Sequence, residues 1–170
     1  MPRELSLRNN KIYQKPVDEM KWLRNNRYFK RENFQEKSLE FSDINRNSYE
    51  VLLDINKKEK SQIRIEIFKG SYEYFEFNME GNIGYISREN MIGGPKGFRN
   101  FKVSKSTNLS INIFVDKSAV EIYINNGEEV LSSRVFAKEN SLGLKIEGLN
   151  DELSINNIEI WTLRGLSYKE

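Results

Sequence analysis

The sequence predicts an all-β fold, a sandwich or a barrel, from three observations. Apolar and polar residues alternate with period two over most of the chain beyond about residue 37. Turn-forming clusters break that alternation at intervals of about 8–12 residues, the rhythm of short antiparallel strands. No repeat of fixed period recurs, as a propeller or solenoid would require. The 170 residues suffice for one domain that buries about 70% of its unfolded surface.

At the N-terminus, Leu5–Leu7 and Ile12–Gln14 form a short hairpin around Asn9-Asn10, because asparagine tolerates the positive φ of a tight turn. Pro16 then opens a helix over Val17–Arg24, where its missing N–H has no helical partner to lose. Asp18 and Glu19 complement the positive helix start, and Lys21 and Arg24 the other end. Val17, Met20, Leu23 and Trp22 supply the apolar stripe.

Beyond the helix, inward strand faces are marked by Val51, Leu53 and Ile55, by Ile63, Ile65 and Ile67, and by Ile111, Ile113 and Val115. Val120, Ile122 and Ile124 mark another, as do Leu142, Leu144 and Ile146. Breaks fall at Asn56–Lys60, Lys69-Gly70, Met79–Asn82, Glu89–Gly97, Asp116-Lys117, Asn125–Gly127 and Glu147–Asp151. About ten or eleven strands are expected after the helix.

Composition narrows the function. Lys and Arg number 27 against 25 Asp and Glu, a net charge of +2, which gives no basic footprint for nucleic acid. No apolar run approaches the roughly 18 residues of a membrane span. The opening MPRELSLRNNKIYQ lacks the apolar core of a signal peptide. Cysteine and histidine are both absent. Disulfides, thiolate nucleophiles, zinc-thiolate sites, Ser-His-Asp triads and His-ligated metals are thereby excluded.

A one-domain β-sandwich can still be a glycosidase, built on two carboxylates facing one cleft. On a single strand that requires acidic residues two apart, and no such pair occurs. Glu128-Glu129 and Asp151-Glu152 are adjacent and point to opposite faces, and Glu73 and Glu76 diverge. Only carboxylates distant in sequence are left to converge. S-x-x-K spacing, a P-loop and G-x-G-x-x-G are likewise absent.

Gly93-Gly94-Pro95-Lys96-Gly97 reads as a loop rather than an anion nest. Asn150-Asp151-Glu152 reads as a polar turn rather than a calcium-site remnant. Tyr72, Tyr74, Phe75 and Phe77 read as core and cross-strand packing rather than a sugar platform. The basic residues Arg3, Lys15, Lys21, Arg24, Arg27, Lys30 and Arg31 are interspersed with Glu4, Asp18, Glu19 and Glu32, a solvated face.

The most informative stretch is Leu109–Phe136, LSINIFVDKSAVEIYINNGEEVLSSRVF. Strands Asn108–Val115, Val120–Ile124 and Glu129–Phe136 are joined by turns at Asp116-Lys117-Ser118 and Asn126-Gly127. The string closely resembles the signature of the C-terminal β-sandwich of glycoside hydrolase family 32. That family comprises the β-fructofuranosidases: invertases, sucrose-6-phosphate hydrolases, levanases and inulinases. Asp116, Ser118, Val120, Glu121, Asn125, Gly127, Glu128, Ser133, Arg134 and Phe136 carry the likeness.

Two further segments agree. MPRELSLRNNKIYQKPVDEMKWLR resembles the family's join between a catalytic propeller and a linker helix. Ile158–Leu163, with Trp161, resembles its closing strand. Between about residues 26 and 80 only strand periodicity supports the match. The resemblance implies an antiparallel two-sheet sandwich, a concanavalin-like jelly roll, over residues 26–170. Residues 1–25 would be the end of the propeller and the linker helix.

The family's catalytic carboxylates lie in W-M-N-D-P-N-G-like, R-D-P and E-C motifs of a five-bladed propeller. Here the prolines stand at 2, 16 and 95, none after Asp, and cysteine is missing, so no catalytic residue maps onto this chain. The resemblance therefore implies a non-catalytic module that supports the propeller of its parent chain and helps it oligomerise. The alternatives are a lectin-like carbohydrate-binding module and an autonomous jelly-roll glycosidase.

No metal, cofactor, nucleic acid or membrane partner is expected. The chain reads as an expressed piece or a truncated reading frame, cytoplasmic rather than secreted, with any signal upstream. Residues 1–16, having lost their sheet partner, are expected to be disordered or to pair with another strand or chain. Asp116 and Glu121 are expected to shape a turn and a strand surface.

Overall fold

The computed structural model describes residues 1–33, 35–44 and 48–164. Asn9 and Asn10, at φ 49° and 60°, close a tight turn between β1 (Arg3–Arg8) and β2 (Lys11–Pro16), which pair from Arg3↔Pro16 to Arg8↔Lys11. The hairpin is longer than the expected one. Its two strands pair with each other along their whole length.

The linker departs from expectation. It is a 3₁₀ helix over Asp18–Leu23, and Arg24 already begins a strand. Val17, Met20 and Leu23 recur every three residues, which suits the three residues per turn of a 3₁₀ helix and drifts around an α-helix. These three side chains pack on Phe114, Tyr123, Val130 and Leu163. Trp22 is not part of that stripe and is 77% exposed.

Among the described residues twelve strands follow: β3 (Arg24–Arg31), β4 (Ser38–Phe41), β5 (Tyr49–Lys57), β6 (Gln62–Lys69), β7 (Phe75–Glu80), β8 (Ile83–Ser87), β9 (Phe98–Lys102), β10 (Asn108–Asp116), β11 (Ala119–Ile124), β12 (Glu129–Arg134), β13 (Gly143–Gly148) and β14 (Leu153–Leu163). They form two six-stranded sheets, β12-β11-β10-β5-β14-β3 and β4-β13-β6-β7-β8-β9. Every pairing is antiparallel. The molecule is thus the all-β two-sheet sandwich expected.

The period-two residues line the space between the sheets. Val51, Leu53, Ile63, Ile65, Phe77, Ile113, Ile122, Ile146 and Ile160 are all buried there. Phe75 and Phe77 belong to this core, and Phe77 stacks on Phe101 at 5.4 Å. Tyr72, in contrast, lies outside the strand and is 88% exposed. In β14 the register shifts between Ile155 and Asn157. This bulge brings Ile155 and Ile158, an odd spacing, to the same buried face. The third strand of the meander stops at Arg134, two residues earlier than expected, and Phe136 instead forms an isolated bridge with Gly93.

Candidate functional site

Within Asp116–Phe136, Glu121, Gly127, Glu128 and Ser132 meet the N-terminal hairpin. Asn125, Asn126 and Gly127 all have positive φ, 50°, 58° and 86°, so the chain turns sharply and presents the Gly127 backbone outward. The Gln14 N–H donates to the Gly127 carbonyl at 2.9 Å. A Cβ on Gly127 would lie 2.0 Å from the Gln14 carbonyl oxygen. Only glycine permits this approach.

Glu128 anchors the same corner. It is buried, and its carboxylate accepts from the Ser104 N–H and hydroxyl at 2.6 Å each, from Asn125 Nδ2 at 2.9 Å and from Lys11 Nζ at 3.0 Å. Burial pushes its pKa up, but the hydrogen bonds from Ser104, Asn125 and Lys11 outweigh it and hold the carboxyl at about 2. Glu128 therefore ties the turn to the loop after β9 and to the hairpin.

Glu121 does the equivalent on β11. It accepts from the Tyr123 hydroxyl at 2.6 Å and from the N-terminal ammonium at 2.9 Å, and Arg3 Nη2 lies 3.3 Å away. Burial raises its pKa, and the Tyr123 hydrogen bond with the ammonium and Arg3 charges more than offset this. Arg3 also donates to Gln14 and Ser132 and lies over the Tyr123 ring.

The other signature residues have local roles. Asp116 accepts from the Lys117 N–H and the Ser48 hydroxyl. The Ser118 carbonyl accepts from the Val135 N–H. Val120 is core, Ser133 donates to the Arg134 carbonyl, and the Arg134 guanidinium covers Phe136. The Arg24 and Arg27 guanidinium groups both lie over the Trp161 ring, 5.4 and 4.9 Å from its centre. Its neighbour Glu50, only 2% exposed, is held by two hydrogen bonds from Arg24 at 2.6 and 3.1 Å and one from Asn112 Nδ2 at 3.1 Å.

The fold does bring distant carboxylates together. Glu66 and Glu76 stand directly opposite on β6 and β7, on the outer face of the second sheet. Arg64 lies 3.5 Å from Glu76, Lys69 lies 3.1 Å from Glu66, and Tyr85 and Asn78 donate to Glu76. The pair is locked in a charge lattice. Glu73 was not foreseen as structural, yet it is buried and accepts from Ser141, Lys138 N–H and Ile92 N–H at 2.7, 2.7 and 3.0 Å. It pins the loops around β7.

The remaining candidates behave as loops and turns. Lys96 of the glycine-rich segment donates to the Glu89 and Met91 carbonyls, so that loop closes on itself. Asn150 accepts from the Gln62 and Glu152 N–H groups, which shapes the turn before β14. No described helix is long and apolar enough to cross a membrane.

One groove of about 440 Å³ lies on the outer face of the first sheet, between the linker and β3. Glu50, Leu52 and Asp54 of β5 and Ser110 and Asn112 of β10 form its floor.

Comparison with known proteins places this geometry. A family model described as "Glycosyl hydrolases family 32 C terminal" matches residues 19–162. The sucrose-6-phosphate hydrolase of Bacillus subtilis (strain 168) is 28% identical over 172 residues, covering 96% of this chain and 33% of the relative. The chain thus spans about a third of that relative's length. Among solved structures, sucrose-6-phosphate hydrolase from Lactobacillus gasseri matches with TM-score 0.78 and 22% identity, over 95% of this chain and 33% of the other. Exo-inulinase from Aspergillus awamori matches with TM-score 0.80 and 16% identity, over 96% and 35%. At such identities the structural likeness shows the fold.

Proposed function

The chain belongs to the C-terminal domain family of glycosyl hydrolase family 32, and on that premise we propose that it is the non-catalytic β-sandwich module of a β-fructofuranosidase. The parent would be a sucrose or sucrose-6-phosphate hydrolase, as the names of the relatives suggest. Residues 1–23 would be the propeller end and linker; the sandwich would begin with β3 at Arg24, two residues ahead of the expected residue 26.

One observation carries this reading. The signature carboxylates hold the N-terminal hairpin to the meander, Glu121 through Arg3 and Glu128 through Lys11. That hairpin presents Leu5, Leu7 and Ile12, at 65%, 71% and 59% exposure. Leu7 and Ile12 are cross-strand partners and Leu5 lies two residues from Leu7, so the three share one face. An exposed apolar face on a rigidly held hairpin suits a neighbouring domain. The module's work is then to seat the propeller's last strands and to offer a face for oligomerisation.

The test is an assay of the chain with sucrose and with sucrose 6-phosphate. No release of fructose or its conjugates is expected. Turnover that disappears in Glu66→Gln or Glu76→Gln would replace this reading with the autonomous glycosidase, since those two carboxylates converge on one face.

A further inference from the structure

Along β5 the inward-facing row Val51, Leu53 and Ile55 ends in a lysine. Side chains two apart share a strand face, so Lys57 continues that row and is only 7% exposed. Its ammonium crosses to the second sheet and donates to the Gly81 carbonyl, in the β7–β8 turn, at 2.9 Å. Among the described residues the ammonium has no other hydrogen bond and no ion pair. A lysine head carries three donors, so two are left uncommitted.

A buried charge is costly unless it is paired as well as hydrogen-bonded, and one carbonyl dipole is not a counter-charge. Burial accordingly pushes the Lys57 pKa below the ordinary lysine value. Glu152 lines a depression on another side of Lys57 but forms no ion pair with it.

The ammonium borders open space. A depression of about 360 Å³ is lined by Lys57 and its acceptor Gly81, together with Lys58, Lys105, Ser106 and Thr107. The connections β5–β6, β7–β8 and β9–β10 supply these residues. Gly81, at φ 57°, lets the β7–β8 turn approach the β5–β6 loop: a Cβ there would lie 2.5 Å from the Glu59 carbonyl oxygen.

The charges of this corner do not cancel. Three lysines line it against one acid, Glu59. Glu59 meets Lys105 at 2.9 Å, and both side chains are exposed, so that pair holds little energy and yields readily. Lys58 is exposed and forms no ion pair among the described residues. The Ser106 and Thr107 hydroxyls add neutral donors. No described arginine lines the space. The planar fork that suits a carboxylate is therefore missing, whereas lysine, a point charge, suits a tetrahedral oxyanion.

We propose that the corner between the β5–β6, β7–β8 and β9–β10 connections binds a tetrahedral oxyanion, phosphate or sulfate, as the counter-charge of Lys57. The site stands apart from the supporting role: no hairpin residue lines it, and it needs no second domain. Once occupied, it ties loops of the two sheets together through one ligand.

The test is titration of the chain with inorganic phosphate, sulfate and acetate, sodium chloride holding the ionic strength constant, followed by melting temperature and by NMR shifts. Phosphate and sulfate should raise the melting temperature saturably in the millimolar range, with acetate about tenfold weaker or less effective still. Shifts are expected at Lys57, Gly81 and Thr107. Lys57→Met keeps the length of the stem and should lose the response, with folding checked by its melting curve. Glu59→Gln removes the acid at the mouth and should tighten binding about twofold to fivefold. Four results would each overturn the proposal: no saturable response, an equal response to chloride at the same ionic strength, an unchanged response in Lys57→Met, or shifts that spare Lys57, Gly81 and Thr107.

Discussion

Glu128→Gln removes the charge at the hairpin corner while keeping the side chain's shape. Four donors converge on that carboxylate, at 2.6, 2.6, 2.9 and 3.0 Å. Hydrogen bonds to a charged group are worth about 1.5–3 kcal/mol each. The contribution of Lys11 is discounted because its side chain is 42% exposed. The glutamine carbonyl retains some of the rest as ordinary bonds of about 1 kcal/mol, while its NH₂ faces a donor.

The net loss should be about 2–4 kcal/mol at neutral pH, or roughly 5–15 °C in melting temperature for a chain of this size. The charge also makes the loss depend on pH. The carboxyl sits at about 2 in the fold against its ordinary 4.5. A depressed pKa contributes stability that is complete above 4.5 and is lost as pH falls toward 2. Urea denaturation of both proteins from pH 7 to pH 2 should therefore show a gap that closes below pH 4.5. A neutral-pH gap under about 0.5 kcal/mol, the range of ordinary surface substitutions, would refute the reasoning, and so would a gap undiminished near pH 2.

Three further outcomes are expected. Gly127→Ala, facing the Gln14 carbonyl at 2.0 Å, should free the hairpin, so that amide exchange over residues 3–16 rises sharply while the sandwich core stays protected. Phe77→Ala should cost about 3–5 kcal/mol in denaturant unfolding, since the ring is fully buried and stacked on Phe101. Arg24→Leu should cost about 3 kcal/mol by stranding the buried Glu50, and the double change Arg24→Leu with Glu50→Leu should recover much of that loss.

The sandwich was legible because its core residues alternate cleanly. Ile63, Ile65 and Ile67 could be assigned to one face without knowing what they touch. The strand β3 was not legible, because RNNRYFKR offers only Phe29 as a half-buried apolar residue. As an edge strand it keeps charged side chains that discourage further pairing. In the linker, Trp22 is apolar yet faces solvent and obscures the period-three stripe of Val17, Met20 and Leu23. The role of Glu128 lay out of reach for a different reason. Lys11 is 117 residues away from it, and local pattern carries no information about such a partner. The groove was equally hidden, since its floor exists only once β5, β10 and β14 are in register.

The position of β14 has a consequence for synthesis. This last strand is inserted between β5 and β3, pairing Leu153 with Lys57 at one end and Leu163 with Arg24 at the other. Until it leaves the ribosome, β3 has no neighbour and β5 keeps one side open. Nascent chains should therefore wait, half-zipped and prone to sticking, until Leu153–Leu163 emerge. A chain cut short ahead of Leu153 would be unable to shut its own sandwich, whatever its other thirteen strands had already formed.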